Sequence, residues 1–108
     1  MSKYLLQLAY TSDAWAMQVK NPQSALNRAT TVIESLGGKI ESLYYAFGEY
    51  DLIGVMDMPN NVNAAAVSLA VSAGGAVKSM QLTPLMEMDE GVAAMKAAAT
   101  ATYNPPSA

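Results

Sequence analysis

The chain begins with an alternation of apolar and polar residues that predicts a β-strand. Over residues 3–10 every second side chain is large and apolar, which is typical of a strand with one buried face. Residues 14–20 predict a short helix, which would begin after the capping side chains of Thr11-Ser12-Asp13. Asn21-Pro22 would end this helix, because proline lacks an amide donor and disfavours helical geometry in the residue before it.

The spacing of apolar residues and two glycine pairs predict two longer helices and a last strand. Residues 24–36 carry apolar side chains at helical spacing, and Gly37-Gly38 would stop that helix. Residues 61–73 predict a helix of small side chains. Its stop is Gly74-Gly75, after which residues 76–82 predict a strand that ends at Thr83-Pro84. Residues 87–101 are rich in alanine and predict a terminal helix.

Residues 39–58 predict the hairpin around which the fold is organised. Both arms are rich in aromatic and branched residues, and Gly48-Glu49 would form a two-residue turn that pairs Phe47 with Tyr50. Alternation then divides the hairpin into two faces. The face predicted to lie under the helices carries Leu43, Tyr45, Phe47, Tyr50, Leu52 and Met56. The other face carries Ile40, Ser42, Tyr44, Ala46, Asp51, Ile53, Val55 and Asp57.

The order of these elements predicts an α+β fold of the ferredoxin-like βαββαβ type. Right-handed crossovers would place the helices on one face of a four-stranded antiparallel sheet. We assign residues 1–86 to this domain and residues 87–108 to a C-terminal helix with a frayed tail. The uncovered sheet face carries too much apolar area to face water, so we expect a homodimer or higher homo-oligomer in which two sheets face each other around a cavity.

The absence of cysteine and histidine removes many kinds of chemistry. Disulfides, thiol nucleophiles, zinc sites of thiolate or imidazole, and serine–histidine catalysis are all excluded. The only dense group of carboxylates is Glu87, Asp89 and Glu90, which we interpret as charges at the favourable end of a helix dipole. We therefore expect neither a metal site nor a cofactor.

Charge and hydropathy exclude two classes of partner. The formal net charge is -3, and the six Lys and Arg residues are scattered singly, so no surface for nucleic acid is predicted. The apolar run in the first ten residues is too short for us to expect a signal peptide, and no segment approaches the roughly 20 apolar residues of a membrane-spanning helix. We expect a cytoplasmic protein without a membrane partner.

A ligand site is predicted in the space between the two facing sheets. The polar side chains on the uncovered face suit hydrogen bonds to a small polar ligand within apolar walls. They are Gln7, Ser42, Tyr44, Asp51, Ser79 and Gln81. The alternative is that these groups satisfy one another and bridge the dimer. Asp51 in a dry cavity could act as a base or bind a cation, or it could instead stabilise the turn by accepting backbone N–H bonds.

The hairpin motif and later segments resemble a known family. Gly48, Tyr50 and Asp51 match the Gly-x-Tyr-Asp pattern of the GYD-domain family, and residues 74–77 and 82–85 follow in the expected order. The resemblance covers about residues 3–86, and it implies a ferredoxin-like fold related to dimeric α/β barrels, without implying a reaction. A looser resemblance to the small-molecule-sensing domain of leucine-responsive regulators, without their DNA-binding segment, favours a stand-alone ligand-binding module.

Three functions remain open at this point. The first is an oligomeric protein that holds a small polar or aromatic metabolite between its sheets. The second is a purely structural assembly subunit. The third is a cofactor-independent enzyme of the dimeric-barrel type, with Asp51 as base and Tyr44 as hydrogen-bond donor. The lack of histidine disfavours the third, because acid–base chemistry near neutral pH would need a strongly tuned Asp or Tyr.

Overall fold

The computed structural model describes residues 1–107, which fold as one four-stranded sheet with helices. The strands are β1 (Ser2–Tyr10), β2 (Lys39–Tyr45), β3 (Leu52–Met58) and β4 (Val77–Pro84). The helices are α1 (Ser12–Lys20), α2 (Leu26–Ser35), α3 (Asn61–Ala73) and α4 (Met88–Thr100). All neighbouring strands are antiparallel in the order β2-β3-β1-β4. The predicted α+β ferredoxin-like fold is therefore confirmed.

Local side chains fix the ends of the helices. Thr11 Oγ1 accepts a hydrogen bond from the Ala14 amide at 3.1 Å, and Asn60 Oδ1 accepts one from the Asn63 amide at 2.8 Å. Gly37 takes a positive φ of 83°, which lets Gly38 donate back to the Ile33 carbonyl at 3.0 Å and closes α2. These contacts fix the start of α1, the end of α2 and the start of α3, whereas α2 begins at Leu26 without a side-chain cap.

The core lies between the sheet and the helices α2 and α3. The side chains buried on this face come from the even-numbered positions of β1 and β3 and from the inner sides of the helices. They include Tyr4, Leu6, Leu8, Tyr10, Ile33, Leu52, Met56, Met58 and Val67. β4 extends to Pro84, beyond the predicted end at Leu82, because an edge strand tolerates a proline without an amide donor.

The pairing of the hairpin strands follows the predicted register and then departs from it. Tyr45 pairs with Leu52 and Ser42 with Val55, as pairing Phe47 with Tyr50 requires. A bulge at Glu41 then shifts the register, so that Ile40 pairs with Met56. The extra residue turns Ile40 onto the helix-covered face, where it packs against the core. The prediction that placed Ile40 on the uncovered face is wrong for this reason.

The connection between β2 and β3 is longer than the predicted two-residue turn. β2 ends at Tyr45 and β3 begins at Leu52, so residues 46–51 form a loop. The Ala46 amide donates a hydrogen bond to the Asp51 carbonyl at 2.9 Å, which closes this loop. The Asp51 amide donates to the Leu8 carbonyl at 2.8 Å, which draws this end of the loop towards β1. The alternation of the strands ends here, and Phe47, predicted to lie under the helices, is fully exposed.

Helix α4 is separate from the rest of the domain. It contains no buried residue, and the radius of gyration of 17.4 Å exceeds the roughly 13 Å expected of a compact domain of about this length. The longest dimension is 57 Å. No helix within residues 1–107 combines the length and apolar character needed to cross a membrane.

Candidate functional site

The sheet face opposite the helices, called the open face below, brings several of the predicted ligand-binding residues together. Tyr44 of β2 pairs with Ile53 of β3, Ile53 with Gln7 of β1, and Gln7 with Gln81 of β4. These four side chains form one row across the sheet, about 14 Å long at the usual strand spacing. Three of the four, Gln7, Tyr44 and Gln81, were predicted from the sequence.

Apolar side chains fill the centre of the open face beside this row. In the row next to the first, Ser42 pairs with Val55, Val55 with Leu5 and Leu5 with Thr83, so its two central residues are apolar. Leu5, Ile53 and Val55 are only half-buried within the single chain. Ser79 pairs with Ala9 near one end of the face. The open face thus has an apolar centre bordered by amides and hydroxyls.

Tyr50 crosses the open face and was missed there by the sequence analysis. Its hydroxyl donates a hydrogen bond to Gln81 Oε1 at 2.6 Å. Because β1 lies between β3 and β4, a side chain from the loop beside β3 must pass over β1 to reach Gln81. Ala9 of β1 is accordingly buried. The sequence analysis placed Tyr50 under the helices, because a two-residue turn would put its side chain on the same sheet face as that of Leu52.

Removing the Tyr50 hydroxyl should weaken the fold modestly. The substitution Tyr50→Phe deletes one partly exposed hydrogen bond, so we expect the free energy of unfolding to fall by about 1 kcal/mol in urea titrations. Tyr44→Phe is the matched control, because Tyr44 lies on the same face and its side chain is mostly exposed. Equal stability of the two variants would show that the bond to Gln81 contributes nothing.

Asp51 lies at the end of the open face, but its carboxylate is bound by groups of β1 and α1. Oδ2 accepts hydrogen bonds from the Tyr10 amide at 2.9 Å and from Trp15 Nε1 at 3.1 Å. The Trp15 ring packs edge-on against Tyr10, with ring centroids 5.3 Å apart. Asp51 therefore joins the hairpin loop to the end of β1 and to α1. This is the backbone-binding role that the sequence analysis gave as the alternative to a catalytic one.

A second concave region lies beside Asp51, between the hairpin loop and α1. This cleft of about 870 Å³ is open to solvent and is lined in part by Trp15, Val19, Tyr45 and Phe47. The Tyr45 hydroxyl is engaged at its edge, where it accepts a hydrogen bond from the Ala25 amide at 2.8 Å. Sequence reasoning did not anticipate this cleft, because it depends on how the loop leaves the strands.

Charged side chains meet at the opposite end of the open face. Lys3 Nζ contacts Glu41 and lies 3.4 Å from Asp57 Oδ1, and Asp57 is buried. The hydrogen bond that Lys3 donates to Glu41, with the nearby charge of Asp57, raises the pKa of Lys3 above its usual value of 10.5. The stabilising contribution of this cation is therefore present at neutral pH and would be lost only as the pH rises through that raised value.

The acidic residues before and within α4 act as helix-terminal charges, as predicted. Glu90 Oε1 accepts a hydrogen bond from the Glu87 amide at 3.0 Å, which is half of a capping box, and Asp89 lies in the same first turn. Within residues 1–107 no group of three or more Asp or Glu side chains is arranged to hold a metal ion.

Comparison with known proteins places the chain in a family. The sequence profile of the GYD domain matches residues 4–95. The chain belongs to the GYD-domain family. The match includes the hairpin with Gly48, Tyr50 and Asp51, and it extends beyond residue 86 into α4. The resemblance inferred from the hairpin motif is thereby confirmed.

A solved structure shares the fold of this GYD domain. The crystal structure of FFRP-DM1 superposes with a TM-score of 0.50 at 10% sequence identity, covering 80% of this chain and 100% of that one. At this identity the similarity concerns the fold alone. No curated protein matches the chain.

Proposed function

We propose that this GYD-domain protein is a homo-oligomeric ligand-binding protein whose sheets pair through their open faces and hold a small metabolite between them. The observation that carries the proposal is the composition of the open face. Leu5, Ile53 and Val55 form an apolar centre that is only half-buried in the single chain. The amides of Gln7 and Gln81 lie beside this centre in one cross-strand row.

A second copy of the chain fits this face better than solvent does. An antiparallel sheet with one solvated face normally alternates apolar and polar side chains cleanly, and this face does not. Two sheets pack about 10 Å apart, with their side chains interdigitating. An apolar centre with a hydrogen-bonding border is self-complementary under a twofold axis, because like surfaces then meet. Lys3 would bring no unpaired charge, since it is already paired with Glu41 and Asp57.

The border of the open face indicates the class of ligand. Amide groups offer both donors and acceptors, and the Tyr44 ring offers a flat apolar surface beside them. A small polar or aromatic metabolite would meet both in the space between two sheets. We assign Gln7, Ser42, Tyr44, Ser79 and Gln81 to this site. Asp51 takes a structural role in the proposal, because its carboxylate is bound to Tyr10 and Trp15.

The bond between Tyr50 and Gln81 supports the alternative of a structural assembly subunit. It shows that at least one polar group of the open face already has a partner within the chain. If the remaining groups pair across the dimer in the same way, the interface needs no ligand. The enzymatic alternative gains no such support, since the Asp51 carboxylate is bound by the Tyr10 amide and Trp15 Nε1.

Native mass spectrometry of gently purified protein tests the proposal. We expect an even-numbered oligomer with a reproducible adduct of small mass. The variant Gln7→Leu keeps the size of the side chain but removes its amide, so it should form the same oligomer with at most about a tenth of the adduct. Gln23→Leu is the control, because Gln23 lies by the cleft near α1 and outside the open face.

The outcomes separate the alternatives. A monomeric wild-type protein would refute the pairing of sheets. An oligomer that never carries an adduct would favour the structural subunit. Loss of the adduct in Gln23→Leu, with retention in Gln7→Leu, would move the ligand site to the cleft beside Asp51.

A further inference from the structure

Helix α4 exposes an apolar stripe, and none of its residues is buried by the rest of the domain. Met88, Val92, Met95 and Ala99 recur at spacings of four, three and four residues and so lie along one side of the helix. The three large side chains are exposed. We call this set the α4 stripe.

A helix of this kind needs a packing partner. Isolated helices shorter than about 12–15 residues are marginal in water, and α4 has 13 residues. Gly91 lowers its intrinsic stability further, since glycine is a much weaker helix former than alanine. Within residues 1–107 no atom outside the helix backbone lies within 4 Å of the position that a Gly91 Cβ would occupy, so the domain itself gives no reason for the glycine. Beside the α4 stripe, a glycine would let another surface come close.

An apolar cleft of suitable character opens between α2 and α3. It has a volume of about 260 Å³ and reaches the core residues Leu6 and Leu52 at its floor. Ala29 and Val32 of α2 form one wall, and Ala70 and Val71 of α3 form the other. We call it the α2–α3 cleft.

Charge adds a second complementarity between these two surfaces. Arg28 lies at the rim of the α2–α3 cleft, and its Nη2 donates to Gln18 Oε1 at 3.0 Å, a neutral partner. The first turn of α4 carries Asp89 and Glu90 next to the α4 stripe. Asp89 and Glu90 would therefore lie near Arg28, whose hydrogen-bond partner Gln18 carries no charge.

We propose that α4 of one copy docks into the α2–α3 cleft of a second copy. The α4 stripe enters the cleft, and its acidic first turn lies near Arg28. This is recognition of an amphipathic helix by an apolar groove, with anchors spaced four and three residues apart. The contact uses the helix side of the domain, so it is independent of the pairing of open faces and can join sheet-paired dimers into larger assemblies.

The position of α4 favours a second copy over the chain's own cleft. The Leu85 amide donates to the Lys3 carbonyl at 2.9 Å, which holds the start of α4 near the beginning of β1. The α2–α3 cleft runs from Leu6, in the middle of β1, to Tyr10 and Val77, at the other end of β1 and β4. The strand between these ends is about 27 Å long, and only Met86 and Glu87 separate the anchored Leu85 from the helix.

Disulfide trapping between two different chains tests the docking, and the natural sequence contains no cysteine to interfere. One full-length chain carries Val92→Cys on the α4 stripe, and the other carries Ala70→Cys in the wall of the cleft and a mass tag. After mixing, subunit exchange and mild oxidation, we expect a cross-linked heterodimer. Ala94→Cys is the matched control, because Ala94 lies at the same height on the opposite side of α4.

The expected yield with Val92→Cys is about tenfold that with Ala94→Cys, since a disulfide requires Cα atoms about 4.4–6.8 Å apart. Circular dichroism confirms that each variant is folded. Equal yields from the two positions would overturn the proposal. So would a monomer with an internal disulfide in the double variant Val92→Cys/Ala70→Cys, because α4 would then occupy its own cleft. Either result leaves the pairing of open faces untouched.

Discussion

Replacing Gly54 with alanine is expected to lower the free energy of unfolding by about 3 kcal/mol. Gly54 lies in the middle of β3, where it pairs with Leu43 on one side and Leu6 on the other. An added Cβ would stand 2.5 Å from the Ser42 carbonyl oxygen and 2.9 Å from Leu43 Cδ1. The first of these neighbours is backbone and cannot move without separating β2 from β3. Urea titration followed by circular dichroism measures the loss.

Gly48→Ala is the control for this substitution. Gly48 belongs to the family motif, yet its φ is not positive, and in the described part of the chain no atom beyond its two neighbours lies within 4 Å of its Cβ position. We therefore expect its stability to stay within about 0.5 kcal/mol of the wild type. If Gly54→Ala proved as stable as Gly48→Ala, β2 would not pass as close to β3 as the register requires.

The second large effect is expected from Asp51→Ala. This change removes the acceptor of two hydrogen bonds, from the Tyr10 amide and from Trp15 Nε1. Hydrogen bonds to a charged group contribute about 1.5–3 kcal/mol each, and Tyr10 is buried, so its amide would lose its partner away from water. We expect a loss of about 3 kcal/mol in the free energy of unfolding. The fluorescence of Trp15, the sole tryptophan, should shift in the native state as well.

Two further variants define what Asp51 does. Asp13→Ala, an exposed acidic residue in the first turn of α1, should cost no more than about 1 kcal/mol. Asp51→Asn keeps one acceptor oxygen and should fall between Asp51→Ala and the wild type. If Asp51→Asn kept full stability and lost only the bound metabolite, the residue would belong to the ligand site, and the structural role proposed for it would be wrong.

Two of the three motif residues now have a physical role within one chain. Tyr50 reaches across β1 to Gln81, and Asp51 joins the loop to β1 and α1. Both contacts hold residues 46–51 against the end of the sheet. Gly48 has no comparable role within the single chain, since its φ is not positive and its Cβ position has no close neighbour.

The sequence predicted the features of this fold that depend on local chemistry. The capping side chain of Thr11 and the glycine pairs after α2 and α3 mark element ends through contacts within a few residues, whereas the cap of α3 is Asn60 and not the expected Asn61 or Asn63. Alternation in β1 and β3 identified the core side chains, because one buried face imposes a period of two. Gln7, Tyr44 and Gln81 could be placed in the open face for the same reason.

The features that were missed depend on contacts between distant segments. Nothing local to Glu41 signals a bulge, which moved Ile40 to the other face. The loop at residues 46–51 follows the bond from the Asp51 amide to Leu8, a residue far away in sequence. The pairing of β2 with β3 stops at Tyr45 and Leu52. Phe47 and Tyr50 therefore lie outside the strands and not on the sheet face that alternation predicted. The helix propensity of α4 likewise does not indicate whether the helix packs on the domain.

The central claim, that open faces pair in solution, is tested most directly by the reactivity of a single thiol. Tyr44 lies on the open face and is 68% exposed in the single chain, whereas Val62 is 76% exposed on α3. The variants Tyr44→Cys and Val62→Cys, each the only cysteine in the full chain, are treated with a thiol reagent under native conditions. Paired sheets predict labelling at Tyr44→Cys that is about tenfold slower than at Val62→Cys, because packed interfaces exclude reagent as protein interiors do. Equal rates in the folded proteins would contradict the pairing of open faces.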